Sequence, residues 1–331
     1  MQFALHIAIR NNEYLAGRVS GSEKGVEIPM ETYRVLVTGC SGFLGPYVMD
    51  ELAGAGYEVM GFDLLEPGFP IASFFRGDFT DRRDLKRALT GITAVCHLGG
   101  IGDVYLAEKD AALAFRANAF GTKTITDACV ELGMEKLIYA SSWEVYGKPI
   151  KNPVDEGHPC NPETPYSISK LAGELFVRAA EGRNGLKTLA LRLGTAYGPS
   201  MRESAVISRF LRQSKAGAPL TVHGDGSQFR QFTYAADIGR AFVAALSHSP
   251  RGRVYNIASD EAVRMIDLAR LISKQVGGSI EFQPARHSEP ASARMSSARA
   301  LRDLKWQQTV RFEDGLHQLM ASFDATGTTD L

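Results

Sequence analysis

Tyr33-Arg34-Val35-Leu36-Val37-Thr38-Gly39-Cys40-Ser41-Gly42-Phe43-Leu44-Gly45 is the stretch that decides the fold. A short β-rich apolar run breaks at Gly39, and a helical pattern starts at Phe43 and runs to Ala55. A second strand, Tyr57 to Phe62, ends at Asp63. Further along, Thr93–Leu98 and Lys136–Ala140 are continuous apolar runs of the kind that lie buried on both faces, and helical patterns cover roughly 105–132 and 163–182. Short apolar strands alternating with helices predict an α/β fold on a doubly wound parallel sheet. Beyond about residue 195 the alternation loosens. Helical segments near 203–216, 234–247, 264–276 and 313–324 are joined by loops such as Gly217-Ala218-Pro219 and Gly224-Asp225-Gly226. This half reads as a smaller lobe at the carboxyl edge of the sheet, where open α/β sheets bind ligands.

Between the first strand and helix, Gly39, Gly42 and Gly45 stand three apart. They permit a tight turn, close approach of the backbone to a pyrophosphate, and close helix–strand contact, and the helix N-terminus favours the phosphate charge. Asp63 follows Gly45 by 18 residues at the end of the second strand. A carboxylate there binds both ribose hydroxyls and repels a 2′-phosphate, so the dinucleotide expected is NAD.

Pro165-Tyr166-Ser167-Ile168-Ser169-Lys170 opens a predicted helix, with Tyr166 and Lys170 four apart on one face. A free tyrosine titrates near pH 10. An ammonium beside it, with a nicotinamide cation, would bring it towards a useful base.

Four motifs now stand in order: Gly39-x-x-Gly42-x-x-Gly45, Ser141-Ser142-Trp143-Glu144-Val145-Tyr146-Gly147, Tyr166-x-x-x-Lys170, and Arg192-x-x-x-x-Tyr197-Gly198-Pro199. The set resembles the extended short-chain dehydrogenase/reductase family, specifically its NAD-dependent sugar-nucleotide epimerases and dehydratases, from about Tyr33 to residue 325. The resemblance implies a Rossmann-type NAD-binding domain over 33–195 and a mainly substrate-binding lobe over 196–325, some of whose segments return to the sheet. It leaves an N-terminal extension, 1–32, and a tail, 326–331. It further implies that Ser41, Phe43 and Leu44 join the glycines around the cofactor, that Asp78 and Phe79 flank the adenine, and that His97, Leu98, Gly99 and Gly100 pass beneath the dinucleotide. Two glycines stand there where the family often has alanines. Asn118 is similar to the family's helix asparagine near the active site and is expected, with Tyr166 and Lys170, among the cofactor contacts. Ser142 matches the hydroxyl that holds the reacting sugar oxygen, completing a catalytic set of Ser142, Tyr166 and Lys170.

Dehydratases of the family carry Asp-Glu after that hydroxyl, and some decarboxylases Ser-Glu. This chain has Trp143-Glu144. Trp143 cannot move the proton that dehydration needs, while Glu144 keeps a carboxylate in range. The run Leu220 to Arg230 resembles the segment that holds the nucleotide half of the substrate, with His223 on the base and Arg230 on phosphate or ribose. Arg286 and Glu289 resemble an arginine–acid pair for phosphate and ribose. Thr195 and Arg202, in Thr195-Ala196-Tyr197-Gly198-Pro199-Ser200-Met201-Arg202, look like the uronate epimerase branch, in which such residues hold a sugar carboxylate. Glu144 would repel that carboxylate. The expectation is therefore an epimerase of a nucleoside-diphosphate sugar, a UDP-sugar foremost, inverting C4 through a transient keto-sugar. Decarboxylase, dehydratase, net dehydrogenase and non-catalytic NAD sensor are the alternatives. The family also implies a homodimer through helices 105–132 and 163–182.

Composition narrows the rest. Over 331 residues, 37 basic and 37 acidic side chains give zero net charge, which argues against a nucleic-acid partner bound through a basic face. No run approaches 18 apolar residues, so no membrane span is expected. Cys40, Cys96, Cys129 and Cys160 lie too far apart for a zinc knuckle or a redox pair and read as reduced thiols of a cytoplasmic protein. No metal is expected. Phe3, Leu5, Ile7 and Ile9 alternate like a strand, without the basic flank of a signal peptide. An added edge strand, a mobile tail and a start placed ahead of Met30 all fit this segment.

Overall fold

A computed structural model describes residues 33–248, 252–285 and 292–325. The expected N-terminal extension and tail, and with them Arg286 and Glu289, lie outside the described residues.

The strands are β1 (Arg34–Thr38), β2 (Glu58–Asp63), β3 (Phe74–Arg76), β4 (Ala94–His97), β5 (Lys136–Ser142), β6 (Lys187–Leu193), β7 (Thr195–Tyr197), β8 (Leu220–His223), β9 (Phe229–Arg230), β10 (Phe232–Tyr234), β11 (Val254–Ile257), β12 (Val263–Arg264) and β13 (Ile280–Gln283). The helices are α1 (Gly45–Gly54), α2 (Arg82–Ala88), α3 (Val104–Lys109), α4 (Ala111–Phe115), α5 (Thr122–Glu131), α6 (Pro165–Ala179), α7 (Val206–Lys215), α8 (Ala235–Ser247), α9 (Met265–Val276), α10 (Ala298–Leu304) and α11 (Phe312–Ala325). Seven strands form one sheet in the order β11-β6-β5-β4-β1-β2-β3, with every neighbouring pair parallel. The order reverses at β1, so β1 and β4 diverge at their carboxyl ends into the crevice where such sheets bind ligands.

Both faces of the sheet are covered. Val35 and Val37 point into a core closed by α1, α8 and α10, while Leu36 points into a second core closed by α2, α5 and α6. All three are fully buried, which is why this strand reads as a continuous apolar run and does not alternate. A third core joins α7, α9 and α11 to the small strands of the lobe. The chain does not separate cleanly at residue 195: β11 pairs with β6, and α8 packs on α1.

The expected single helix over 105–132 is instead α3, α4, a π-helical segment Arg116–Gly121, and α5. Asp103 and Asp110 each accept backbone N–H bonds and restart the helix. The π turn adds one residue to the ring and turns Asn118 inward, at 1% exposure.

Candidate active site

The carboxyl ends of the sheet and the lobe enclose a cleft of about 1880 Å³. On its sheet side lie Gly39, Ser41, Gly42, Phe43, Leu44, Asp63, Asp78, Phe79, Leu98, Gly99 and Gly100. Ser142, Glu144, Tyr166 and Lys170 stand at its centre, and Thr195, Arg202, His223 and Arg230 on the lobe side.

Sterics shape the sheet side. Gly39 has φ +72°, and a Cβ there would lie 2.6 Å from the Gly99 nitrogen. A Cβ on Gly45 would lie 1.9 Å from the Cys40 carbonyl oxygen, so Gly45 sets the helix against the turn from behind and does not itself line the cleft. Asp63 Oδ2 accepts the Ser41 N–H at 3.0 Å and Oδ1 the Leu65 N–H at 3.2 Å. Both bonds fix the carboxylate at the cleft rim with acceptor capacity left over. Behind the crossing, His97 is fully buried between Thr38 Oγ1 (2.7 Å) and Thr122 Oγ1 (3.0 Å), and burial pushes its pKa down to about 3. It is a neutral structural bridge and, unlike Leu98, Gly99 and Gly100, does not line the cleft as expected, because both its ring nitrogens are engaged inside the protein.

Asn118 departs from the expectation of a cofactor contact. Its Oδ1 accepts the Ile101 N–H, and its Nδ2 donates to the Ile101 carbonyl and to Ser169 Oγ. The amide is spent inside the protein, where it ties the loop after β4 to α6.

The helix α6 carries the central pair. Thr164 caps it in a capping box with Ser167, and Pro165 suits its first turn. A Cβ on Gly173 would lie 2.3 Å from the Asn118 carbonyl and 2.6 Å from the Tyr139 hydroxyl, so this glycine lets α6 press directly on β5 and the π turn. Lys170 is 6% exposed, its ammonium 4.5 Å from the centre of the Tyr139 ring. No hydrogen-bond acceptor among the described residues holds that ammonium, which leaves its donors for a ligand in the cleft. Burial pushes Lys170 down to about 7 against the pull of Glu174.

Burial likewise drives Tyr166 up to about 12, Glu144 adding to it, while Ser142 and Arg202 pull it down. Within the chain, Arg202 is therefore one cation that acts on the phenol, in addition to Lys170 one turn along the same helix. Burial also raises Glu144 to about 7 against Arg202 and Arg230. Ser142 Oγ accepts the Glu144 N–H at 3.2 Å, fixing the turn that brings both residues to the cleft.

The lobe side offers charge. Arg202 Nη1 donates to the Gly102 carbonyl at 2.7 Å, and Arg230 Nη1 to the Phe229 carbonyl at 2.8 Å. His223 Nδ1 meets the Pro284 carbonyl at 3.1 Å. Arg209, on α7, also lines the cleft. It escaped the sequence reading because it sits within an amphipathic helix that resembles an ordinary surface one. The signal available was its place on that helix, just before the glycine-rich run to Arg230.

The residues fit a dinucleotide: a backbone cradle that a side chain would fill, a fixed carboxylate for ribose hydroxyls, and an unclaimed ammonium beside them. Among the described residues no cluster of His, Cys, Asp and Glu could hold a metal ion.

Residues 35–258 match the family described as the NAD dependent epimerase/dehydratase family. The dTDP-glucose 4,6-dehydratase of Streptomyces griseus is 30% identical over 308 residues, which cover 88% of this chain and 94% of that protein. The UDP-glucose 4-epimerase of Mycolicibacterium smegmatis is 28% identical, covering 88% and 98%. Among solved structures, MoeE5 in complex with UDP-glucuronic acid and NAD superposes with a TM-score of 0.82 at 30% identity, covering 88% of this chain and 99% of that one. The family match over residues 35–258, on a parallel sheet that carries a glycine cradle, a fixed carboxylate at the cleft rim and a Ser-Tyr-Lys set, makes this protein an NAD-dependent enzyme of the epimerase/dehydratase family.

Proposed function

We propose that the protein inverts C4 of a UDP-sugar through a transient keto-sugar, with NAD held throughout the cycle. The observation that carries this reading is the residue after Ser142. Trp143 lines the cleft and cannot transfer a proton, so the acid–base pair that elimination of water needs is incomplete, whereas Ser142, Tyr166 and Lys170 all face the cleft. Relatives bearing the name epimerase, and a neighbour solved with a UDP-sugar and NAD, support the same class.

NAD, held by the glycine turn, Asp63 and Lys170, would supply a reversible hydride acceptor and a positive nicotinamide charge. The chain's residues do the rest. Tyr166 takes the proton of the C4 hydroxyl and later gives it back. Ser142 holds the sugar oxygen in line with that phenol, and Lys170 binds the nicotinamide ribose. Tyr166 stands near pH 12 in the protein alone, so the phenolate depends on the cationic charge that arrives with the cofactor. Arg202, Arg209 and Arg230 supply the guanidinium geometry that a diphosphate requires. In this division residues 33–195 serve mainly the dinucleotide and 196–325 the sugar nucleotide, with Arg286 and Glu289 assigned to its phosphate and ribose.

Tyr105, Phe120, Ile168 and Leu175, between 40% and 63% exposed, lie on α3, the π turn and α6, and support pairing of two copies through these helices. The four cysteines are free, which suits the cytoplasm.

The test is to incubate purified protein, without added NAD, with UDP-glucose, UDP-galactose, UDP-glucuronate and UDP-xylose, and to follow each by proton NMR. Inversion at C4 in one of them is the expected result. A 4-keto-6-deoxy product, a pentose from the uronate, or no change even with NAD added would overturn the assignment.

A further inference from the structure

Tyr166, Lys170 and Glu174 stand four apart on α6 and therefore share one face, spanning ~12 Å over two turns. Glu174 is fully buried. Its Oε2 accepts from Ser141 Oγ at 2.7 Å and Arg192 Nε at 3.0 Å, and its Oε1 from Arg192 Nη2 at 2.6 Å and Arg178 Nη1 at 3.4 Å. Arg192, 2% exposed, lays its guanidinium 4.6 Å from the centre of the Tyr146 ring. One carboxylate thus joins three elements: α6 with Tyr166 and Lys170, β5 through the residue next to Ser142, and β6.

A buried ion pair is weak evidence for stability, since well-packed apolar groups of the same volume often do as well. Arg192 even leaves Nη1 buried without a partner. What the pair does supply is a carboxylate fixed in position one turn from Lys170 on the same helix. The groups that face Lys170 are Glu174 and Tyr166 on its own helix, the Tyr139 ring on β5 and the neutral His97 on β4. Glu174 is the one carboxylate among those acting on the ammonium. Facing Glu174 in turn are Ser141 and Tyr139 on β5, Arg192 on β6, Arg178 on α6, and Cys160 in the loop before α6.

We propose that Glu174 is a positioning residue for Lys170: its carboxylate, locked by Arg192 and Ser141, keeps the ammonium charged and aimed at the cleft. The pair so formed sets the alkaline limit of activity. The inference rests on the reading of Tyr166 and Lys170 as the reacting pair, and its test does not depend on turnover.

The experiment titrates Lys170 in the NAD-bound enzyme by NMR of ¹³Cε-labelled lysine, with the signal assigned by its loss in Lys170→Met. In Glu174→Gln the midpoint is expected about one unit lower, a roughly tenfold loss of the charged form above it. The alkaline limb of kcat should move down with it, KM staying near the original value. Glu174→Asp keeps the charge and should restore most of the midpoint. If Glu174→Gln does not fold, the double variant Glu174→Gln/Arg192→Met removes both buried charges together. Glu174 is the carboxylate that acts on Lys170, so the midpoint should fall there as well, by less than in Glu174→Gln because a cation is removed with it. An unchanged Lys170 midpoint in either folded variant overturns the proposal. A midpoint that moves in an enzyme inverting no UDP-sugar sustains it and refutes the substrate assignment alone.

Discussion

The two walls of the cleft are built on different physics. The sheet wall is set by contact distances: Gly39 and Gly45 occupy places where a single methyl would meet backbone, and the Asp63 carboxylate is held by two N–H groups. The lobe wall is set by charge, with Arg202 and Arg230 resting on nearby carbonyls. Those contacts can be exchanged for phosphate oxygens at small cost, because a guanidinium loses one acceptor and gains a charged one. A wall fixed by shape binds one invariant molecule. A wall of arginines on loops and short strands accommodates a substrate that enters, turns and leaves.

Tyr166 lies where the walls meet, and its removal should produce the largest effect on turnover. Tyr166→Phe is expected to lower kcat about 10²- to 10⁴-fold with NAD still bound, as read by single-turnover kinetics and by cofactor released on denaturation. Near-normal turnover would remove Tyr166 from its role.

Shape and charge should then fail differently. Gly45→Ala places a methyl against the Cys40 carbonyl and should cost about 3 kcal/mol in urea unfolding, with no salt dependence. Gly54→Ala, whose methyl would meet nothing within 4 Å, should be neutral or slightly stabilising. Equal losses at both sites would refute the steric account of the sheet wall. On the lobe wall, Arg209→Ala and Arg230→Ala should each raise KM about 10- to 100-fold with the fold intact, the effect shrinking as salt rises. A fall in kcat at constant KM would instead place these side chains at the reacting atoms.

The smallest effect concerns Glu144, which carries a charge between the walls. Its carboxyl stands near pH 7 in the folded chain, above the usual carboxylate range. The native state therefore binds more protons than the unfolded one between about pH 4.5 and 7, and stability falls as pH rises through that window. Glu144→Gln should flatten this fall, being more stabilising at pH 8 than at pH 5, and should lower the Tyr166 midpoint by removing an anion beside the phenol. Thermal unfolding across pH and the tyrosinate absorbance check both.

The sheet wall was largely legible in the sequence, because shape constraints leave residue types behind. Three glycines and a terminal aspartate mark a tight turn whatever surrounds it. The strands β1, β2, β4 and β5 announced themselves as apolar runs. By contrast β6, Lys187-Thr188-Leu189-Ala190-Leu191-Arg192-Leu193, buries a threonine and an arginine, so its pattern hides a strand that is inside the sheet. The π turn was invisible because one added residue leaves the apolar spacing around it almost intact, yet it decides that Asn118 faces inward and is consumed there. Arg209 and Glu174 stayed hidden for a shared reason. A charged side chain on an amphipathic helix has the same spacing whether it meets solvent or a cleft, and only the tertiary packing distinguishes them.

A redox-neutral inversion at one carbon is read most plainly from the hydrogen of that carbon. Give the enzyme UDP-glucose deuterated at C4, without added NAD, and locate the label by NMR after equilibration. Deuterium is expected at C4 of both epimers and none in free NADH. Label at C6 of a keto-sugar, or in NADH released in proportion to substrate, would contradict it.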